Sequence, residues 1–242
     1  MTTGFIADLH LTPARPDITA AFRQFCQSHQ QLTALYILGD LFDAWLGDDD
    51  SSLFAENIKE ILAGLSANGV KLYFMPGNRD FLLGDVFARA TGMQRLADET
   101  VITLNGIRTL LMHGDTLCTA DTGYQRYRSF IQHPFSRYAL KRLPFNWRMA
   151  IARKLRTGSQ SQRPHLSHER LRQMDVQHQA VLEVMQKHQV QQLIHGHTHR
   201  AAIHEFKVNG AKAKRVVLGD WYDAQRLIGT AQSGYYSGIY IT

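Results

Sequence analysis

Five clusters of metal-type ligands punctuate this 242-residue chain: Asp8-Leu9-His10, Gly39-Asp40, Gly77-Asn78, His113-Gly114-Asp115 and His195-Gly196-His197. They offer carboxylate oxygen, amide oxygen and imidazole nitrogen. That mixture suits a borderline divalent ion such as manganese, iron or zinc better than calcium or magnesium, which prefer all-oxygen sets. Seven donors (Asp8, His10, Asp40, Asn78, His113, His195 and His197) exceed what one tetrahedral ion takes. They are enough for two ions sharing one carboxylate, an arrangement that clamps the attacking and leaving oxygens of a displacement. Singly, each cluster is weak. A lone His113 is more often a hydrogen-bonded core histidine, and Asp8-x-His10 alone could be a strand end with a helix cap. Glycines adjoin four of the ligands (Gly39, Gly77, Gly114 and Gly196), where a missing Cβ permits a sharp turn and a close approach of substrate. His199 continues an alternation with His195 and His197 that an extended strand would turn to one face. Asp43, Asp48, Asp49 and Asp50 read as supporting or loop residues.

The elements that must position these residues are legible as apolar runs. Residues 4–7, 35–38, 72–75, 107–112 and 190–194 each read as a strand running into one of the clusters. Asn105-Gly106 and Asn209-Gly210 each sit between two strand-like runs and predict hairpins. The pattern predicts helices over 17–28, after a Ser51 or Ser52 cap, and over 167–188. Strands alternating with helices, then hairpins, predict an α/β fold of mixed β-sheets flanked by helices, with ligands at the carboxyl ends of strands.

Residues 121–165 break that pattern. They hold ten basic residues (Arg126, Arg128, Arg137, Lys141, Arg142, Arg148, Arg153, Lys154, Arg156 and Arg163) and one acid, Asp121. The rest of the chain has 17 basic and 20 acidic residues, so the basic character belongs to this one segment. It is interleaved with Tyr124, Tyr127, Phe130, Phe135, Tyr138, Phe145 and Trp147. We read it as an inserted helical cap over the active site, with the core formed by 1–120 and 166–242. Such a mixture suits a helix lying in an anionic membrane interface or a platform for single-stranded nucleic acid. A solvated helical face, the plainer alternative, normally mixes both signs. Two cysteines in unrelated contexts argue against a disulfide framework and suit a reducing compartment. No basic leader or apolar run of about 18 residues is present, so neither a signal peptide nor a spanning helix is expected.

The order D-x-H, GD, GN[H/R]D, HGD, GH-x-H resembles that of the calcineurin-like metallophosphoesterases. The stretches that carry the likeness are FIADLHL at 5–11, ALYILGDLFDAWLGDDD at 34–50, GNRDFLLG at 77–84, LLMHGDTLCTAD at 110–121 and LIHGHTHR at 193–200. They are most similar to members that cleave UDP-2,3-diacylglucosamine in lipid A biosynthesis. The resemblance implies two manganese ions, one held by Asp8, His10, Asp40 and His197, the other by Asp40, Asn78, His113 and His195. It implies attack on the α-phosphorus by a water lying between the ions, with Asn78, Arg79 and His195 catalytic. Substrate contacts are implied for Asn78, Arg79, Asp121, Ser159, Arg163 and His195. His199 lies outside the implied ligand set. The expected setting is the cytoplasmic face of a bacterial inner membrane, as a peripheral monomer on its anionic surface, with no nucleic-acid partner. A phosphodiesterase acting on nucleotides or nucleic acid is the alternative within the family, and a metal-free interaction module is the alternative outside it.

Arg79 bears on that choice. Many relatives carry histidine there, suited to protonating an alkoxide. A guanidinium cannot give up its proton at ordinary pH. It suits a leaving group that needs none, such as a phosphate monoester with a second pKa of about 6. The guanidinium can instead clamp phosphate oxygens; a surface pair with Asp80 is the plainer alternative.

Overall fold

The computed structural model describes residues 2–162, 174–222 and 238–241, with the backbone alone over 155–162 and 238–241. Two five-stranded sheets stack face to face. The first has the order β10-β1-β2-β3-β4, built from β1 (Thr3–Ile6), β2 (Ala34–Leu38), β3 (Lys71–Met75), β4 (Met93–Arg95) and β10 (Gly238–Ile241). The second has the order β5-β6-β7-β9-β8, from β5 (Thr100–Leu104), β6 (Ile107–Met112), β7 (Gln192–His195), β8 (Ala202–Val208) and β9 (Ala211–Val217). Strands β1 to β4 run parallel, as do β6, β7 and β9, while β10, β5 and β8 pair antiparallel at the edges.

Period-two alternation decides which residues face which layer. Phe5, Leu38 and Met75 point between the sheets against Leu111, Ile194 and Val216. Ile6, Ile37 and Phe74 point outward, beneath α1 (Pro16–Ser28) and α2 (Leu53–Ala67). Leu110 and Leu193 face Val181 and Met185 of α7 (His178–His188). The result is four layers, helix, sheet, sheet, helix. The expected α/β class of mixed sheets flanked by helices holds. Local signals agree: the Ser52 hydroxyl accepts from the Ala55 amide, and both Asn-Gly turns have positive φ at each residue. A short α3 (Asp85–Thr91), strand β4 and strand β10 are additions to the sequence reading.

The helix expected over 167–188 is corrected to His178–His188. Residues 174–177 form a bend there, where the Gln177 amide donates to the Leu117 carbonyl (3.0 Å), and 167–173 lie outside the described residues. Between the 3-10 turn Asp115–Leu117 and that bend come α4 (Thr122–Ile131), α5 (Pro134–Arg142) and α6 (Phe145–Gln162). Polar ties fasten them to the core. Asp115 accepts from Tyr124 Oη (2.7 Å) and Arg128 Nε (2.6 Å), and Arg128 also donates to Asp98 (2.9 Å). Arg148 is buried and bonds the Leu46 carbonyl and Asp49.

Candidate active site

The turns after β1, β2, β3, β6 and β7 meet at one end of the stacked sheets. Strand pairing continues into them: the Asp8 amide donates to the Gly39 carbonyl (3.1 Å), His10 to Asp40 (2.9 Å) and Gly196 to His113 (2.9 Å). Asp80 completes the scaffold. Fully buried, it accepts from the amides of Leu41 (2.7 Å) and Gly77 (2.8 Å), so one carboxylate pins the loops carrying Asp40 and Asn78. This leaves no surface pair between Arg79 and Asp80, the plainer alternative for Arg79, and burial raises the Asp80 pKa. A Cβ on Gly77 would collide with the Asp40 carboxylate, and one on Gly196 with that of Asp8. What approaches these glycines closely is therefore a neighbouring ligand.

Two groups of donor atoms converge. His10 Nε2 lies 3.2 Å from His199 Nε2, and His199 Nε2 lies 3.5 Å from Asp8 Oδ1. Asp8, His10 and His199 form one group of possible ligands, and Asp8, Asp40 and His113 form a second. Asn78 Oδ1 joins the latter, 3.1 Å from His113 Nε2. Asp8 belongs to both groups, and Asp40 of the second also reaches toward His10 of the first: Oδ2 is 3.8 Å from His10 Nδ1 and Oδ1 is 3.8 Å from His113 Nε2.

The donor groups bring in a histidine outside the expected pair. His199, expected outside the set, stands beside Asp8 and His10. His197 packs its ring against His113, centroids 5.1 Å apart, and donates its amide to Asp8 Oδ2 (2.7 Å). His195 is the last residue of β7. Leu193 faces α7 and Ile194 the opposite sheet, so His195 follows on the Leu193 side. It joins neither donor group among the described residues. The expected pair came from laying the family's GH-x-H on His195–His197, one histidine too early along the chain. The chain leaves extended geometry at Gly196, and His197 (φ 72°) and His199 (φ 58°) take left-handed backbone. The GH-x-H pattern laid on Gly196–His199 gives the same pair.

The same strain marks the other ligand-bearing turns: Asp8, His10 and Asp40 have φ of 56°, 51° and 52°. Non-glycine residues hold such conformations only where the surroundings over-determine them. The electrostatics fit ligands awaiting cations. Burial lowers His10 to about 3 and His197 to about 4, keeping their imidazoles neutral. Burial raises Asp40 to about 7. Burial alone would lower His113, but the Asp40, Asp115 and Asp8 carboxylates outweigh it and hold it at about 9. Divalent ions would replace that proton.

Residues 1–201 match the Calcineurin-like phosphoesterase family. The chain belongs to the calcineurin-like phosphoesterases. This phosphoesterase is similar to proteins named UDP-2,3-diacylglucosamine hydrolase. It is 48% identical to one from Aeromonas hydrophila over 92% of each chain, 47% to one from an Enterobacter species over 97% of each, and 45% to one from Vibrio cholerae over 94% of each.

Beside the donor groups of this phosphoesterase lies a cavity of 420 Å³. Asn78 and Arg79 line it, together with Trp45, Leu46 and Phe81 of the core and Ile151 of α6. Arg79 donates from Nη1 to Asp43 (3.1 Å), and its Nε lies 3.7 Å from Asp40. Asp43 is thus a supporting residue, as expected for that acidic run. Asp48 accepts from the Gly84 amide and the Trp45 indole, and Asp49 pairs with Arg148. Asp121 caps α4, accepting from the Tyr124 amide (3.2 Å). Ser159 lies in α6 with its side chain outside the described residues, and Arg163 lies outside them altogether.

Proposed function

We propose that this chain hydrolyses the pyrophosphate bond of UDP-2,3-diacylglucosamine to UMP and 2,3-diacylglucosamine 1-phosphate, a step of lipid A biosynthesis. The observation that carries this reading is the cavity shared by Asn78 and Arg79 and the apolar walls of core and cap. One space offers polar groups for a pyrophosphate and hydrocarbon for acyl chains. The relatives' names support the same substrate.

Asp8, His10, Asp40 and His199 would hold one ion, and Asp40, Asn78, His113 and His197 the other, with Asp40 shared. The residues fit such ions: Asp8 Oδ1 and His10 Nδ1 are buried without a hydrogen-bond partner, and a nitrogen-plus-oxygen set suits manganese. Two bound ions lower the pKa of water and draw charge from phosphoryl oxygens. Attack of water on the α-phosphorus breaks its bond to the bridging oxygen, and the lipid 1-phosphate leaves needing no proton. Arg79 holds phosphoryl oxygens and offsets developing charge, aimed by Asp43.

Residues 121–165 serve as a cap that shelters the acyl chains, over a core of 1–120 and 166–242. The same reading puts the protein at the cytoplasmic face of a bacterial inner membrane. Phe130, Phe135, Tyr138 and Trp147 are exposed on cap helices that also expose Arg126, Lys141 and Arg142. Among the described residues no helix is long and apolar enough to cross a membrane. The test compares kcat/KM on the UDP-lipid with that on bis-p-nitrophenyl phosphate. A strong preference for the UDP-lipid is expected, and preference for the diester would reinstate a nucleotide or nucleic-acid phosphodiesterase.

A further inference from the structure

His199 does not stand alone. Its Nδ1 lies 3.2 Å from Asp220 Oδ2, while its Nε2 faces His10 and Asp8. The other oxygen of Asp220 accepts from the Tyr222 amide (3.2 Å). The Tyr222 ring lies flat against His10, centroids 5.5 Å apart at 13°, and tilts against His199 at 5.6 Å. One carboxylate therefore organises two rings, His199 and Tyr222, that flank His10.

The segment carrying Asp220 is fixed at both ends. The Leu218 amide donates to the His195 carbonyl (2.7 Å), extending the β7–β9 pairing one residue beyond β9. Trp221 is buried edge-on against Phe22 (6.2 Å) and Phe25 (5.5 Å) of α1. Arg15 Nη2 donates to the Tyr222 carbonyl (2.9 Å). A partly exposed ion pair contributes little to stability by itself, and His199 and Asp220 are 27% and 26% exposed. The anchoring by Trp221 and the left-handed backbone at His199 distinguish this pair from a free surface contact.

We propose that Asp220 is a positioning residue for the ion shared by Asp8, His10 and His199. This rests on the two-ion reading of the site. By accepting the Nδ1 proton of His199, Asp220 fixes the ring orientation and leaves Nε2 as the nitrogen facing the ion. Its loss loosens His199 and, through Tyr222, the wall beside His10. Asn78, His113 and His197, which would hold the other ion beside Asp40, have no contact with Asp220 among the interactions described above.

The test is a manganese titration of the purified full chain, with free ion read by electron paramagnetic resonance, beside thermal melts of the metal-free protein. Wild type should fill two sites. Asp220→Ala should weaken one site by about 10–100-fold, as for loss of a partner behind a ligating histidine, and leave the other and the metal-free melt unchanged. Asp220→Asn, which keeps an acceptor oxygen, should give a smaller loss at the same site. Two sites of wild-type affinity in Asp220→Ala would overturn the proposal. So would equal weakening of both sites with a lowered melt, the signature of a merely structural residue. Absence of manganese binding by wild type would instead overturn the reading of the site itself.

Discussion

Asp40 stands between His10 and His113 with one oxygen toward each. Asp40→Ala should therefore lose both ions together, whereas His10→Ala should weaken one, as elemental analysis after gel filtration will show. Two ions retained in Asp40→Ala would contradict the shared carboxylate. At Arg79, truncation to alanine should lower kcat/KM on the UDP-lipid by about 10²–10³, as for removal of one donor to developing negative charge. Arg79→His should leave that loss in place, since the leaving group needs charge neutralised and no proton. Residue types were legible before the fold: Asp8, His10, Asp40, Asn78 and His113 converge as their order implied. The histidine beside Asp8 and His10 was not, because the GH-x-H pattern was laid on His195–His197, and the backbone turns out of the strand after His195. The Gly-His-Thr-His run at 196–199, which fits the pattern letter by letter, was the available clue. Asp80 and Asp220 went unread because their partners are backbone amides or a residue distant along the fold, which no local spacing announces.

At the level of elements, β1, β2, β3, β6 and β7 were legible because each is a short apolar run bounded by turn residues. The α3 helix and β4 strand were missed because seven and three residues are too short for periodicity to register. The segment from Thr122 to Gln162 was legible as basic, aromatic and helical, but composition could not tell which cations face solvent. Arg148 is buried under the loop after β2, so it is an anchor and not a surface charge. Arg148→Ala should destabilise cap docking by about 1–3 kcal/mol, as for lost hydrogen bonds to a charged group. Hydrogen exchange in α6 should then quicken while β1 to β3 stay protected. The bond from Arg148 lowers the pKa of Asp49. A depressed carboxylate contributes stability above its unfolded pKa of about 3.9, and that contribution is lost as pH falls through the folded value. Protection of α6 should thus decline at acid pH in wild type, and Asp49→Asn should remove that dependence. An α6 equally protected in Arg148→Ala would show that the cap is held elsewhere.

For the whole molecule, charge is segregated: the basic residues concentrate at 121–165 while the remainder carries more acids than bases. Binding to anionic liposomes should weaken with salt, since the Debye length is about 8 Å at physiological ionic strength. Exposed Phe130, Phe135 and Trp147 should retain part of it. Replacing Arg137, Lys141 and Arg142 with Gln, and sparing the anchor Arg148, should remove about 1 kcal/mol per charge near an anionic surface. Equal pelleting of wild type and the triple variant at low salt would refute the electrostatic contribution. Site and cavity together imply that water attacks the α-phosphorus of a UDP-linked diacyl sugar and that the lipid phosphate is the leaving group. The most direct test runs the reaction in ¹⁸O-labelled water and follows the products by phosphorus NMR. An isotope-shifted signal is expected in UMP and none in 2,3-diacylglucosamine 1-phosphate. Label in the lipid phosphate, or release of UDP in place of UMP, would contradict this mechanism.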